Sequence, residues 1–229
     1  MALPFLLSVP HAGLVVPPEV TDICTLSRDE IARDGDVGAA EIYLSMEEHV
    51  YALATTDIAR AIVDLNRPED DRGRDGVVKT HTCWDVPIYR ETPSDELIEI
   101  LLKLYYRPYH KNLSGLSKDV IAAIDCHTMA AVGPPVGPDP GMERPPICLS
   151  NGEGTCPEKW LLSLAEIIEK VMGISVSINN PFKGGYTIRR HAVEVPWLQI
   201  ELSRESFLSN REKGELIIKS FDKWHTIIK

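Results

Sequence analysis

The apolar positions of this chain fall into two rhythms. Residues 5–9, 52–56, 61–65, 120–125, 174–178 and 197–202 are short, nearly continuous apolar or β-branched runs. Such runs suit strands that are buried on both faces. Between them the spacing turns helical. Over 38–51, Ile42, Met46 and Val50 recur on one side. Over 94–113, Ser94 stands as an N-cap before the early acids Asp95 and Glu96. Residues 157–172 open with a proline in the first turn, and 213–228 form an amphipathic helix. Strands alternating with helices, with few hairpin signals, predict an α/β sheet covered on both faces.

Two stretches follow neither rhythm. Residues 69–79 are charged and punctuated by glycine, which predicts a surface loop. Residues 130–146 hold six prolines and three glycines and cannot form regular structure. Because that stretch follows His127, it reads either as a loop or lid over a site or as a disordered insertion.

Length and charge narrow the classes. At 229 residues one domain, 1–229, is expected. The formal net charge of -10 argues against nucleic acid, whose phosphates need a basic surface. It does not exclude a small acidic ligand, which a local group of arginines can hold. The apolar start at 2–9 lacks a basic lead and is short for a signal peptide, and no run approaches the ~20 apolar residues of a membrane span. The five cysteines (24, 83, 126, 148 and 156) include no CxxC pair. They read as reduced thiols in a cytoplasmic protein.

The apolar runs end in chemistry. His11 follows the first, Asp64 lies in the third with Asn66 and Arg67 just after it, Asp125 closes the fourth with His127 just after it, and Glu201 stands within the last. Ligands of α/β sheets bind beyond the carboxyl ends of strands, where these residues are expected to gather. A catalytic zinc needs three protein ligands and an open position. His11 and His127 are the nitrogen candidates, and the carboxylate is Asp34 or Asp36, unless these two acids only cap the next helix. A carboxylate in an apolar strand is costly to bury, so Glu201 reads as a general base or as an ion-pair partner of Arg189, Arg190 or Arg204. Asn66 and Arg67 could grip a substrate carboxylate, or Arg67 could pair with the acids at 69–71. Lys183, Gly184, Gly185 and Tyr186, with Arg189 and Arg190, form a second basic loop that a ligand could approach.

These stretches resemble the N-formylglutamate amidohydrolase family. The matching residues are 9–13 (VPHAG), 33–39 (RDGDVGA), 60–68 (RAIVDLNRP), 107–110 (RPYH), 125–127 (DCH), 182–186 (FKGGY) and 199–202 (QIEL). The resemblance implies a zinc-exopeptidase-like (phosphorylase/hydrolase-like) fold, with a mixed, mostly parallel sheet flanked by helices. It implies His11, Asp36 and His127 as ligands of zinc or another divalent metal. Leu14 stands where the wider carboxypeptidase-like group has its second ligand, a glutamate. Glu201 is implied as general base, Arg60 beside the scissile carbonyl, and Asp64 as the acid orienting His11. Asn66, Arg67, Arg189 and Tyr186 are implied in substrate binding. The implied activity is zinc-dependent hydrolysis of the linear amide of an N-acyl amino acid, N-formyl-L-glutamate first, as in histidine degradation. Neither nucleic acid nor membrane is an expected partner.

Two other readings compete. A non-catalytic protein capturing an acidic metabolite would need Asn66 and Arg67 but not the metal set. A cysteine hydrolase using Cys126 with His127 fails because neighbouring strand residues point to opposite faces.

Overall fold

The structure, a computed structural model, describes residues 2–205 and 207–229. Its strands are β1 (Leu3–Val9), β2 (Val50–Thr55), β3 (Ala122–Met129), β4 (Ile147–Ser150), β5 (Val176–Ile178) and β6 (Trp197–Ser203). They form one sheet in the order β2-β1-β3-β6-β4-β5. β1 runs parallel to β2 and β3, and β3 parallel to β6; β4 is antiparallel to β6 and carries β5 parallel to itself. The sheet is therefore mixed and mostly parallel, as expected. The helices are α1 (Arg28–Asp34), α2 (Ala39–Tyr43), α3 (Asp95–Leu101), α4 (Arg107–Leu116), α5 (Glu158–Met172), α6 (Tyr186–His191) and α7 (Asn210–Ile228).

Strand parity sorts the two faces. Phe5, Leu7 and Val9 of β1, Ile124 and Cys126 of β3, and Leu198, Ile200 and Leu202 of β6 face one core, shared with α2, α5 and α7. There α7 buries Ile217, Phe221, Trp224 and Ile228, each contributing about 1.5–3 kcal/mol. The opposite face packs Leu6, Ala123 and Trp197 against α3 and α4, through Leu101, Tyr109 and Leu113. Further along, the same parity presents Ser8, Asp125, His127, Gln199 and Glu201, all buried. Helices thus cover both faces, and one face turns polar at the carboxyl ends of its parallel strands.

Four expectations need correction. Residues 61–65 are not a strand but a buried irregular segment, whose apolar content reflects burial alone. The helix expected over 38–51 stops at Tyr43, continues as a 3-10 turn (Leu44–His49), and Val50 already opens β2. The surface loop at 69–79 dives inward, for Val77, Val78 and Lys79 are buried. The basic loop after Gly185 becomes α6. The helix from Ser94 does form, with Leu97 N–H donating to Ser94 Oγ, but a π turn (Leu102–Tyr106) joins α3 to α4. Pro108, in the first turn of α4, has no N–H to give the ladder there.

Candidate active site

The site is assembled where β1, β3 and β6 end. After β1 the chain turns through Pro10 to His11, and Gly13 lies against the backbone of Asp57 and Ile58, where a Cβ would overlap them. Only glycine permits that approach. Asp36 N–H then donates to His11 O (3.1 Å), which brings the loop after α1 beneath the histidine. His127 and Glu201 sit opposite each other in the β3–β6 register and share a face.

His11, Asp36 and His127 converge. Each offers one ligand atom, and these atoms lie within 4.8 Å of one another. Asp36 Oδ2 is 2.9 Å from His127 Nδ1 and 3.7 Å from His11 Nδ1. The outward nitrogens are held by other carboxylates. His11 Nε2 lies 2.9 Å from Asp64 Oδ1, and His127 Nε2 lies 2.8 Å from Asp125 Oδ2. Two imidazoles pinned at Nε2 by carboxylates, with both Nδ1 atoms turned to a third carboxylate, match the donor chemistry of a divalent-metal site. The electrostatics agree. Burial works against charge on His127, yet Asp125 and Asp36 overcome it and lift its pKa well above the usual 6.5. Burial likewise raises the Asp36 carboxyl, but hydrogen bonds and charge from His11 and His127 hold it well below the carboxylate range. Such a cluster demands positive charge.

Asp34 has separate work. It is fully buried, accepts from Cys83 N–H (2.6 Å) and pairs with the buried Lys79 Nζ (3.2 Å). Lys79 also reaches Asp75 (2.9 Å) and lies 3.8 Å from Asp64 Oδ2, so a buried charge network underlies the site and meets it at Asp64.

Glu201 is buried beside His127, with Gln199 Nε2 donating to its Oε1 at 2.8 Å. Burial pushes its carboxyl up to about 7, His127 pulling down and Asp36 pushing further up. No arginine forms an ion pair with it among the described residues. Arg60 Nε donates to Asp64 Oδ2 (3.1 Å), and its Nη1 lies 3.8 Å from Asp36 Oδ1.

These groups open into a cavity of about 560 Å³. Asn66, Arg67 and Arg60 line it, as do Lys183, Gly184 and Gly185 of the basic loop. Asn66 is clamped: Thr187 N–H donates to its Oδ1 (2.8 Å), which leaves Nδ2 3.3 Å from His127 Nε2. Arg67 pairs with Asp75 (2.7 Å), not with the acids at 69–71. Arg189 and Tyr186 do not line the cavity. Arg189 instead holds the carbonyls of Lys183 and Gly184, and Tyr186 takes a hydrogen bond from Arg190 (2.8 Å).

The proline-rich stretch is an ordered wall of this cavity, contributing Pro134, Val136, Pro138 and Arg144. A bridge between Val132 and Glu143 and the Asp139–Arg144 pair (2.6 Å) fold it back on itself. Arg144 is a cavity cation that sequence reasoning missed, and Arg204, expected only as an ion-pair partner of Glu201, is another. Arg204 Nη2 donates to Gly35 O (2.6 Å) and lies 3.6 Å from Asp36 Oδ1. Asp125, two residues before His127 on the same strand face, was legible from parity as its partner.

Fold and site define an α/β protein with a buried two-histidine, one-carboxylate cluster at the carboxyl ends of its parallel strands. The chain belongs to the N-formylglutamate amidohydrolase family, whose model matches residues 3–208. It is 25% identical over 236 residues to the N-formylglutamate deformylase of Pseudomonas putida, covering 92% of this chain and 84% of that protein. The deformylase of Pseudomonas aeruginosa is 26% identical over 226 residues, covering 91% and 84%. In structure the chain is similar to the N-formylglutamate amidohydrolase of Ralstonia eutropha JMP134. That match has a TM-score of 0.77 at 19% identity and covers 99% of this chain and 93% of the other, a likeness of fold.

Proposed function

We propose that this chain is a zinc-dependent amidohydrolase that cleaves N-formyl-L-glutamate to formate and L-glutamate. The observation carrying the reading is the convergence of His11, Asp36 and His127 next to Glu201, in the cavity that Arg60, Asn66 and Arg67 line. The relatives named as deformylases support the substrate.

His11, Asp36 and His127 hold the metal, and two imidazoles with one carboxylate favour zinc. Once bound, the ion supplies Lewis acidity for water activation and carbonyl polarisation. The chain's own residues supply the rest. Glu201, poised near neutrality, takes a proton from the attacking water as its oxygen bonds to the formyl carbon. Arg60 faces the charge that develops on the carbonyl oxygen. The C–N bond breaks as Glu201 returns the proton to the departing amine. Asn66 and Arg67 hold the substrate's carboxylates, and Arg204 adds positive potential at the same wall. Arg189 supports the loop that carries Lys183 to Gly185 through its bonds to the Lys183 and Gly184 carbonyls. We assign one domain, 1–229, acting in the cytoplasm. Among the described residues no helix is long and apolar enough to cross a membrane.

A binding protein for an acidic metabolite would have no use for the histidine cluster or for Glu201. Formate release by the zinc-loaded protein, measured over N-formyl, N-acetyl and N-succinyl amino acids, tests the proposal. N-formyl-L-glutamate should be turned over well above the others. Activity on none of them, with metal bound, would remove the named function.

A further inference from the structure

Residues 61–67 deliver Asp64, Asn66 and Arg67 to the site without belonging to a strand or helix. Buried backbone outside regular structure needs other partners for its carbonyls. Here the helical stretch around the π turn provides them. Tyr106 Oη donates to Arg67 O (2.9 Å), and His110 Nε2 lies 3.1 Å from Leu65 O. Behind His110 a chain of polar groups runs from the buried His191 out to Glu194 at the surface. Its Nδ1 is 2.9 Å from His191 Nε2, and His191 Nδ1 is 2.9 Å from Glu194 Oε2. Glu194 Oε1 accepts from Ser114 Oγ at 2.6 Å. The two rings are coplanar within 12° with centroids 5.2 Å apart. That is a head-on hydrogen bond, since rings stacked face to face would lie closer.

Proton placement follows. The Leu65 carbonyl can only accept, so His110 carries its proton on Nε2. Burial, with the charges of His191 and Arg190, drives the His110 pKa down to about 3, which leaves Nδ1 bare and accepting. His191 must then donate from Nε2, and because the Glu194 carboxylate can only accept, the row of bonds closes when His191 carries a proton on Nδ1 as well.

We propose that His110, oriented through His191 by Glu194, is a positioning residue: it holds the Leu65 carbonyl and so sets the turn that presents Asp64 to His11 and Asn66 to the cavity. Asp64 reaches both, for Asn66 N–H donates to the same Oδ1 that faces His11. The relay touches neither substrate nor metal. It rests on the proposed reaction only for its kinetic readout.

The experiment compares His110→Phe with His110→Gln, and Glu194→Ala with Glu194→Gln. Zinc affinity is read by competition with a chromogenic chelator, and kcat and KM on N-formyl-L-glutamate. His110→Phe keeps a ring but loses the donor, and should weaken zinc about tenfold and lower kcat/KM. His110→Gln restores a donor near Leu65 O and should recover most of both. Glu194→Gln can donate to His191 Nδ1 while accepting from Ser114, so it should match wild type, whereas Glu194→Ala should follow His110→Phe. Wild-type zinc affinity in folded His110→Phe, or equal loss in His110→Gln, would overturn the proposal. Should neither His110 variant fold, the Glu194 pair decides: equal behaviour of Ala and Gln contradicts it. An inactive wild type would remove the proposed reaction, while the zinc series would still judge the relay.

Discussion

Asp34 and Asp36 are separated by one residue and do opposite things. Asp36 turns its carboxylate to two imidazoles, while Asp34 turns away to Lys79 and the Cys83 amide. Asp36→Ala should abolish stoichiometric zinc binding, measured by metal content after dialysis. Asp34→Ala should keep the ligands but leave part of a buried cation uncompensated, costing roughly 3 kcal/mol in denaturant unfolding. Full occupancy in the first with loss in the second would exchange their roles. Both acids were visible in sequence, yet nothing local separates them. What decides is the pairing of the loop with His11 O, which depends on contacts remote in sequence. Arg67 makes the same point. Its fork was legible, but its pairing with Asp75 was not, because the 69–79 segment folds inward. Arg67→Ala should still lower kcat/KM for N-formyl-L-glutamate by about 1.5–3 kcal/mol of transition-state stabilisation. The loss should be smaller on N-acyl amino acids lacking a side-chain carboxylate.

At the scale of elements, burial and strand were separable only where the chain pairs with neighbours. The runs that became β1, β3 and β6 lie inside the sheet, so both of their faces are apolar over most of their length. Residues 61–65 carry the same apolar signal because they pack under α3 and α4, and only tertiary structure shows that no strand accepts them. β4 went unread because it is short and sits directly behind the proline-rich wall. α1 had a signal that was passed over: Ser27 and Glu30 form a reciprocal capping box. Before α6 the backbone of Gly185 crosses the Asn66 side chain so closely that a Cβ would collide with it. Gly185→Ala should therefore displace Asn66 and raise KM while leaving zinc content unchanged. A normal KM would mean that the loop yields and that Asn66 is not held there.

Over the whole molecule, buried histidines tie stability to pH. His110 is driven down to about 3 by burial first and by neighbouring positive charge second. In the unfolded chain it titrates near 6.5, so between those values only the unfolded state takes up its proton. Its contribution is complete above about 6.5 and is lost as pH falls toward 3, by about 1.4 kcal/mol per unit. Unfolding free energies of the metal-free protein should accordingly fall more steeply below pH 6 in wild type than in His110→Phe. Parallel curves would contradict a neutral, buried His110.

The account as a whole stands on Glu201 working beside a metal held by His11, Asp36 and His127. One assay addresses it: formate release from N-formyl-L-glutamate by zinc-loaded wild type and by zinc-loaded Glu201→Gln at matched metal content. The account predicts turnover by wild type and a fall of about 10² or more in kcat for the variant. Near-normal turnover in Glu201→Gln would contradict it.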